Sequence, residues 1–139
     1  MEKVFNRVVL IDDDDVSNFL TGRIISNLDI ADELVIHKNG MQALDFFKEQ
    51  SNHESGRGVK PDLVLLDINM AVVNGFELLE ALSLTNFLDN VKVVILSSSQ
   101  NPKDVDQAAQ YRINGYLTKP LDVLRLKDII NDIFQRQVA

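Results

Sequence analysis

The chain of 139 residues contains no cysteine. That absence excludes a disulfide framework, a thiolate nucleophile and a zinc–thiolate site. Basic charge is also scarce: 14 Lys and Arg face 21 Asp and Glu, for a formal charge of −7 at pH 7. Such a surface disfavours nucleic acid and anionic membranes, because binding phosphate requires Lys and Arg to displace counterions. No apolar run approaches the roughly 18–20 residues of a membrane span. Met1 to Leu10 lack the basic start and long apolar stretch of a secretory signal. A cytoplasmic protein is expected, with neither nucleic acid nor membrane as a partner. What remains is ordinary globular composition, 45% hydrophobic and 25% charged, which argues against disorder. The length fits one domain over residues 1–139, and no output domain is expected after the last helical pattern.

Short apolar runs recur at Val8–Ile11, Leu34–Ile36, Leu63–Leu66 and Val91–Leu96, with a weaker one at Tyr116–Leu117. The first, third and fourth are nearly continuous, as expected of strands buried on both faces of a parallel sheet. Helical spacing fills the gaps. Val16, Leu20, Ile24 and Leu28 step by four, and Leu126, Ile129, Ile130 and Ile133 follow the i, i+3, i+4, i+7 pattern. Ala43, Leu44 and Phe47 mark another helix, as do Phe76, Leu79 and Leu82. Lys103 to Arg112 is weaker, with Val105, Ala108 and Ala109 as its small or apolar face. Asn39-Gly40, Asn74-Gly75, Asn101-Pro102 and Asn114-Gly115 punctuate the division. Ser51 to Lys60 reads as a long polar loop. The alternation predicts an α/β fold of five strand–helix units, (βα)5, with helices on both faces of a parallel sheet.

In such a sheet, ligands bind beyond the carboxyl ends of the strands. The first strand delivers Asp12-Asp13-Asp14-Asp15 there, the third Asp67, the fourth Ser97-Ser98-Ser99 and the fifth Thr118-Lys119-Pro120. A single Asp at a strand end is usually a helix cap. Acids, a hydroxyl and an ammonium converging from four strands require more than capping. Clustered carboxylates raise one another's pKa unless a cation sits among them. Hard oxygen ligands suit Mg²⁺, with Mn²⁺ as an alternative. A carboxylate can also take a phosphoryl group as an acyl phosphate, a transfer that depends mainly on charge neutralisation.

These motifs resemble the receiver domain of two-component response regulators over essentially the whole chain. The matching pieces are Leu10-Ile11-Asp12-Asp13-Asp14 and Pro61-Asp62-Leu63-Val64-Leu65-Leu66-Asp67-Ile68-Asn69-Met70. Gly75 follows Asp67 by eight residues, Ser97 by 30 and Lys119-Pro120 by 52. The resemblance implies a flavodoxin-like doubly wound sheet in strand order 2-1-3-4-5. It makes Asp67 the phosphoacceptor, Asp13 a direct metal ligand, and Asp12 a ligand through water. The Asn69 backbone carbonyl would complete the protein's share of the Mg²⁺ ligands. Lys119 would pair with Asp67 and then with the phosphoryl oxygens, across a peptide bond to Pro120 that is cis in the family. Ser97 would be the switch hydroxyl and Tyr116 the aromatic that follows it. The partners implied are a histidine kinase or histidine phosphotransfer protein upstream and an unidentified protein downstream. That protein would read the fourth helix, fifth strand and fifth helix, from about Lys103 to Phe134. The chain would be a signalling receiver, promoting only its own aspartyl phosphorylation and dephosphorylation.

One position departs from the family pattern. Ala71 stands where proline usually follows the Met, and a looser loop with altered kinetics is expected. Asp14 and Asp15 read as helix-capping rather than as further ligands. His37 and His53 read as structural or exposed, away from the strand ends. Gly22 within the first helix costs about 1 kcal/mol against Ala, without a functional account. A reading from another class also fits formally: a haloacid-dehalogenase-type phosphatase, whose nucleophile would be Asp12 in the first D-x-D. The late acidic motif of that class is missing, because the fifth strand offers Thr118-Lys119.

Overall fold

The computed structural model describes residues 5–51, 62–84 and 91–138. Ten elements alternate: β1 (Phe5–Ile11), α1 (Asp15–Leu28), β2 (Ala31–His37), α2 (Gly40–Ser51), β3 (Leu63–Leu66), α3 (Gly75–Ser83), β4 (Lys92–Ser97), α4 (Pro102–Ala108), β5 (Gly115–Thr118) and α5 (Val123–Val138). The five strands are parallel and ordered β2-β1-β3-β4-β5. The doubly wound (βα)5 architecture expected from the sequence is therefore present. The polar stretch after Ser51 and the side chain of Phe134 lie outside the described residues.

Alternation along the strands builds two cores. Val9, Ile11, Val64, Leu66, Val93 and Ile95 face α2, α3 and α4, meeting Ala43, Phe47, Leu78, Leu79, Leu82 and Ala108. Val8, Leu10, Leu63, Leu65, Val94 and Leu96 point the other way and meet Ile25 of α1 and Leu126 and Ile130 of α5. Period-two geometry sends successive side chains to opposite faces, so a strand covered on both sides must be apolar throughout. The step of Leu126, Ile129, Ile130 and Ile133 packs as expected, with Leu126, Ile130 and Ile133 buried.

The first helix corrects the sequence reading. Val16 and Leu20, placed on its buried stripe, are 66% and 51% exposed, while Ile24 and Leu28 of the same stripe pack partly buried against the core. The buried residues are Asn18, Thr21, Gly22 and Ile25. They occupy an equivalent i, i+3, i+4, i+7 stripe, rotated from the apolar one and largely polar at its start. Gly22 packs towards β2, where an added Cβ would make an ordinary 3.6 Å contact with Leu34. The fourth helix is also shorter than Lys103–Arg112. It is capped by Asn101, ends at Ala108, and leaves Val105 exposed. His37, placed away from the strand ends, instead closes β2 at its carboxyl end and accepts the Asp12 N–H at 3.1 Å. Its ring packs on Phe46 at 4.8 Å, and burial holds its pKa below the usual imidazole value, in keeping with a structural role. Asp14 caps α1 by accepting from Val16 N, and Asp15 pairs with Lys38 at 2.8 Å, so both extra acids serve the helix start.

The loop from Asp67 to α3 packs closely against the end of β3. Gly75 N donates to Ile68 O at 3.1 Å, and a Cβ on Gly75 would stand 2.6 Å from the Asp67 carbonyl. A side chain there would push α3 away from β3. Asn74 starts the helix with a reciprocal capping box to Glu77. Two residues before Asn74, Val72 has φ 68° and is 86% exposed. A β-branched residue in the left-handed region costs roughly 1–2 kcal/mol, whereas Asn visits that region readily. Val72→Asn should stabilise the protein by about 1 kcal/mol, seen as a higher urea midpoint at an unchanged slope. An equal or lower midpoint would show that the loop gains nothing from relief at this residue.

Candidate functional site

Register brings the chemistry to one edge of the sheet. Ile11 of β1 is level with Leu66 of β3, so Asp12 and Asp67 leave their strands side by side. The Asp67 N–H donates to Ile11 O at 2.9 Å and completes the ladder. Ser97 is level with Thr118, which places Lys119 one residue beyond the edge, its N–H on Ser97 O at 2.8 Å. The Lys119–Pro120 peptide is cis. β1 and β3 are also where the chain order reverses, the crevice that open α/β sheets use for ligands.

Asp12 and Asp67 are buried, at 1% and 5% exposure, while Asp13 faces solvent. One carboxylate oxygen from each of the three lies within 4.8 Å of the others. Lys119 Nζ reaches between two of them, 2.6 Å from Asp12 Oδ2 and 3.3 Å from Asp67 Oδ2. Asp67 Oδ1 accepts from Asn69 N at 3.1 Å. Burial pushes the Asp67 carboxyl above its usual value; the Asn69 N–H and Lys119 pull it back, while Asp12 pushes the same way as burial. Burial draws Lys119 down, but its hydrogen bond and charge attraction to Asp12 and the charge of Asp67 outweigh that and leave it above its ordinary value. The lysine is thus a firmly held ammonium facing two anions.

Asp12 is saturated. Its Oδ1 accepts from Asp14 N at 2.9 Å, its Oδ2 from Ser17 Oγ at 2.8 Å as well as from Lys119, and its carbonyl from Asn18 Nδ2 at 2.8 Å. Such a carboxylate is poorly free to attack phosphorus, which counts against Asp12 as a phosphatase nucleophile. Asp13 Oδ2 accepts from Ala71 N at 3.3 Å. Proline at that position would have no N–H to give. The loosening expected from Ala71 is therefore opposed by a tie to the acid pair. The donor set, three carboxylates of which one is solvent-facing, fits a small divalent cation with open water positions.

Ser97 is fully buried and takes two contacts, from Ser99 N at 3.0 Å and Asn69 Nδ2 at 3.5 Å. Tyr116 does not reach the acids. Its hydroxyl donates to Ser99 O at 2.9 Å, so it meets Ser97 through Ser99. Ser99 Oγ in turn donates to Asp104 in α4. Ser17, Asn18 and Asp104 carry no motif and are visible only once the helices are placed.

A family model described as the response regulator receiver domain matches residues 8–131. Response regulator Rcp1 from Synechocystis is 29% identical over 126 residues, covering 91% of this chain and 84% of its own. The structure of its Mn²⁺-bound form superposes with a TM-score of 0.71 over 92% of this chain and 88% of that one. A two-component response regulator from Cytophaga hutchinsonii shares 31% identity with a TM-score of 0.83, over 96% and 99% of the two chains. The phosphorylated cyanobacterial phytochrome response regulator RcpA shares 27%, with a TM-score of 0.73, over 94% and 91%. Buried acids on β1 and β3, a lysine from β5 and a family match across both cores lead to one conclusion: this chain belongs to the response regulator receiver family and is a signalling receiver of phosphorelay systems, not a haloacid-dehalogenase-type phosphatase.

Proposed function

We propose that the receiver takes its phosphoryl group on Asp67 from the phosphohistidine of a sensor kinase or histidine phosphotransfer protein. The observation that carries this reading is the position of Lys119, which bridges Asp12 and Asp67 beside the exposed Asp13. An Asp67 oxygen attacks phosphorus in line, the P–N bond to the donor imidazole breaks, and its electron pair returns to the ring nitrogen. Asp13 and Asp67 would ligate Mg²⁺ directly, Asp12 through water, and Asn69 by its backbone carbonyl; Mn²⁺ is the alternative. When bound, the cation supplies charge neutralisation for the transferring group. Lys119 would leave Asp12 to pair with a phosphoryl oxygen. The same residues would support hydrolysis of the acyl phosphate, the extent of the chain's own chemistry.

A surface for a protein donor adjoins the site. Val16, Phe19 and Leu20 are exposed on α1 and line a groove of about 620 Å³ that reaches Lys119, Pro120 and Leu121. Apolar side chains rimming a buried ionic site suit a folded partner that must exclude water during transfer. Beyond the site, the contacts from Ser97 to Ser99 and from Ser99 to Tyr116 and Asp104 lead towards α4 and β5, the face expected to meet the downstream partner.

Two measurements test this reading. Labelling with a small phosphodonor and Mg²⁺, mapped by mass spectrometry, should place the acyl phosphate on Asp67 alone and vanish in Asp67→Asn. Label on Asp12, or label surviving that substitution, would exclude the assignment. Amide exchange with and without beryllofluoride should change in the loop after Ser97 and over residues 103–120, with smaller changes in Ser97→Ala. Changes confined to the surroundings of Asp67 would show that Ser97 and Tyr116 do not carry the signal.

A further inference from the structure

The first turn of α1 turns polar side chains inward where the sequence pattern calls for apolar ones. Asn18 is 4% exposed, donates through Nδ2 to the Asp12 carbonyl at 2.8 Å, and leaves its buried Oδ1 without a partner among the described residues. A buried, half-satisfied amide destabilises a fold, and leucine of the same shape would extend the apolar face begun by Ile25. Beside it, Ser17 Oγ donates to Asp12 Oδ2 at 2.8 Å. Both side chains act on one residue, at opposite ends of it.

We infer that Ser17 and Asn18 are positioning residues that clamp Asp12 so that the acid pair is set for a divalent cation before it arrives. This rests on the reading of Asp12, Asp13 and Asp67 as the cation's ligands. The Asp12 carbonyl and the Asp13 N–H share one planar peptide unit. Asn18 therefore fixes the plane from which Asp13 leaves the strand, while the His37 carbonyl holds the Asp12 N–H on the other side. Ser17 fixes the carboxylate. It shares Oδ2 with Lys119, so when the ammonium moves onto a phosphoryl oxygen the carboxylate keeps a donor and does not swing. Groups that orient ligand carboxylates typically change metal affinity by about 10–100-fold when removed.

The test is Mg²⁺ titration by calorimetry into the full, unphosphorylated chain, with urea denaturation in a chelator as a separate readout. Ser17→Ala should weaken Mg²⁺ binding about tenfold, and Ser17→Thr, which restores the hydroxyl, should return it to within about threefold. Asn18→Leu should weaken binding by a similar factor, with the cost of leaving the Asp12 carbonyl without its donor read separately in the urea midpoint. Asp13→Asn separates the two layers. If it abolishes binding while Ser17→Ala and Asn18→Leu stay within about twofold of the parent, the clamp is wrong and the metal site stands. If Asp13→Asn binds like the parent, the metal assignment falls first and the clamp with it. Should Asn18→Leu not fold, the Ser17 pair decides alone: equal loss in Ala and Thr variants overturns the role of the hydroxyl.

Discussion

Two carboxylates with almost no exposure face a single ammonium, and the rest of the structure is arranged so that they can. An isolated buried carboxylate tends to protonate rather than remain charged. The Asp12 carboxylate accepts from two donors in addition to Lys119, Asp14 N and Ser17 Oγ, and Asp67 accepts from the Asn69 N–H and the same lysine. The arrangement demands that Lys119, from the end of β5, reach the ends of β1 and β3 although β4 separates β3 from β5. Parallel register provides this: Ile11, Leu66, Ile95 and Tyr116 lie in one row, and β4 and β5 run two residues further to Ser97 and Thr118. A slip of one residue in any pairing would reverse every side chain of that strand between the two cores. The hydrophobic pattern that fixes register thus also fixes the distance from Lys119 to its two acids. Stability and chemistry are not separate demands here.

That shared cause explains why so much was legible. Strands buried on both faces can tolerate few polar residues, so their ends are marked where polarity begins: Asp12, Asp67, Ser97 and Thr118-Lys119 are those marks. The elements, their parallel sense and the residues meeting at the edge follow from the same short runs. The phase of α1 did not follow. Val16, Leu20, Ile24 and Leu28 form a regular stripe, yet the helix presents Asn18, Thr21 and Gly22 to the sheet. A periodicity argument assumes that the apolar stripe is the buried one. Here hydrogen bonds to Asp12 at the first turn turn the helix towards a different face, and Val16 and Leu20 are left at the mouth of the site while Ile24 and Leu28 pack partly against the core. The shortness of α4 was hidden for a similar reason: Val105 and Ala109 extend its apolar pattern, but among these residues only Ala108 reaches the core.

The connection after β3 shows where local preference yields to the site. Asp67, Asn69, Ala71 and Gly75 all lie in it or at its ends, and three of their N–H groups are directed: Asn69 to Asp67, Ala71 to Asp13, Gly75 to Ile68. Returning the chain within eight residues to start α3 against the Asp67 carbonyl requires a tight path, and Val72 takes the left-handed conformation within it. Strain at an exposed residue is tolerated because its neighbours are over-determined. Replacing the family's usual proline by Ala71 gives up rigidity in the unfolded chain and gains a donor to the solvent-facing acid. The exchange places one more constraint on Asp13, whose exposure leaves it the least confined of the three carboxylates.

The route proposed for the signal out of the site rests on the same economy of contacts. Ser97 accepts from Ser99 N and Asn69 Nδ2, contacts that use its lone pairs rather than its O–H. A phosphoryl oxygen near Lys119 would attract that proton, and reorienting the hydroxyl disturbs its contact with Ser99. Ser99 is where the loop is gathered, since its carbonyl holds Tyr116 and its hydroxyl holds Asp104 and Asn101. Helix α4 resists little. It has seven residues, with one buried side chain among them. Elements with few buried contacts open at low free energy, so a differential interaction of a few kcal/mol suffices to shift their population. A charge-assisted hydrogen bond is of that order. In the proposed relay the thin packing of α4 and the dense packing of β4 are complementary: the strand would keep Ser97 fixed relative to Asp67, and the helix would supply the part that moves.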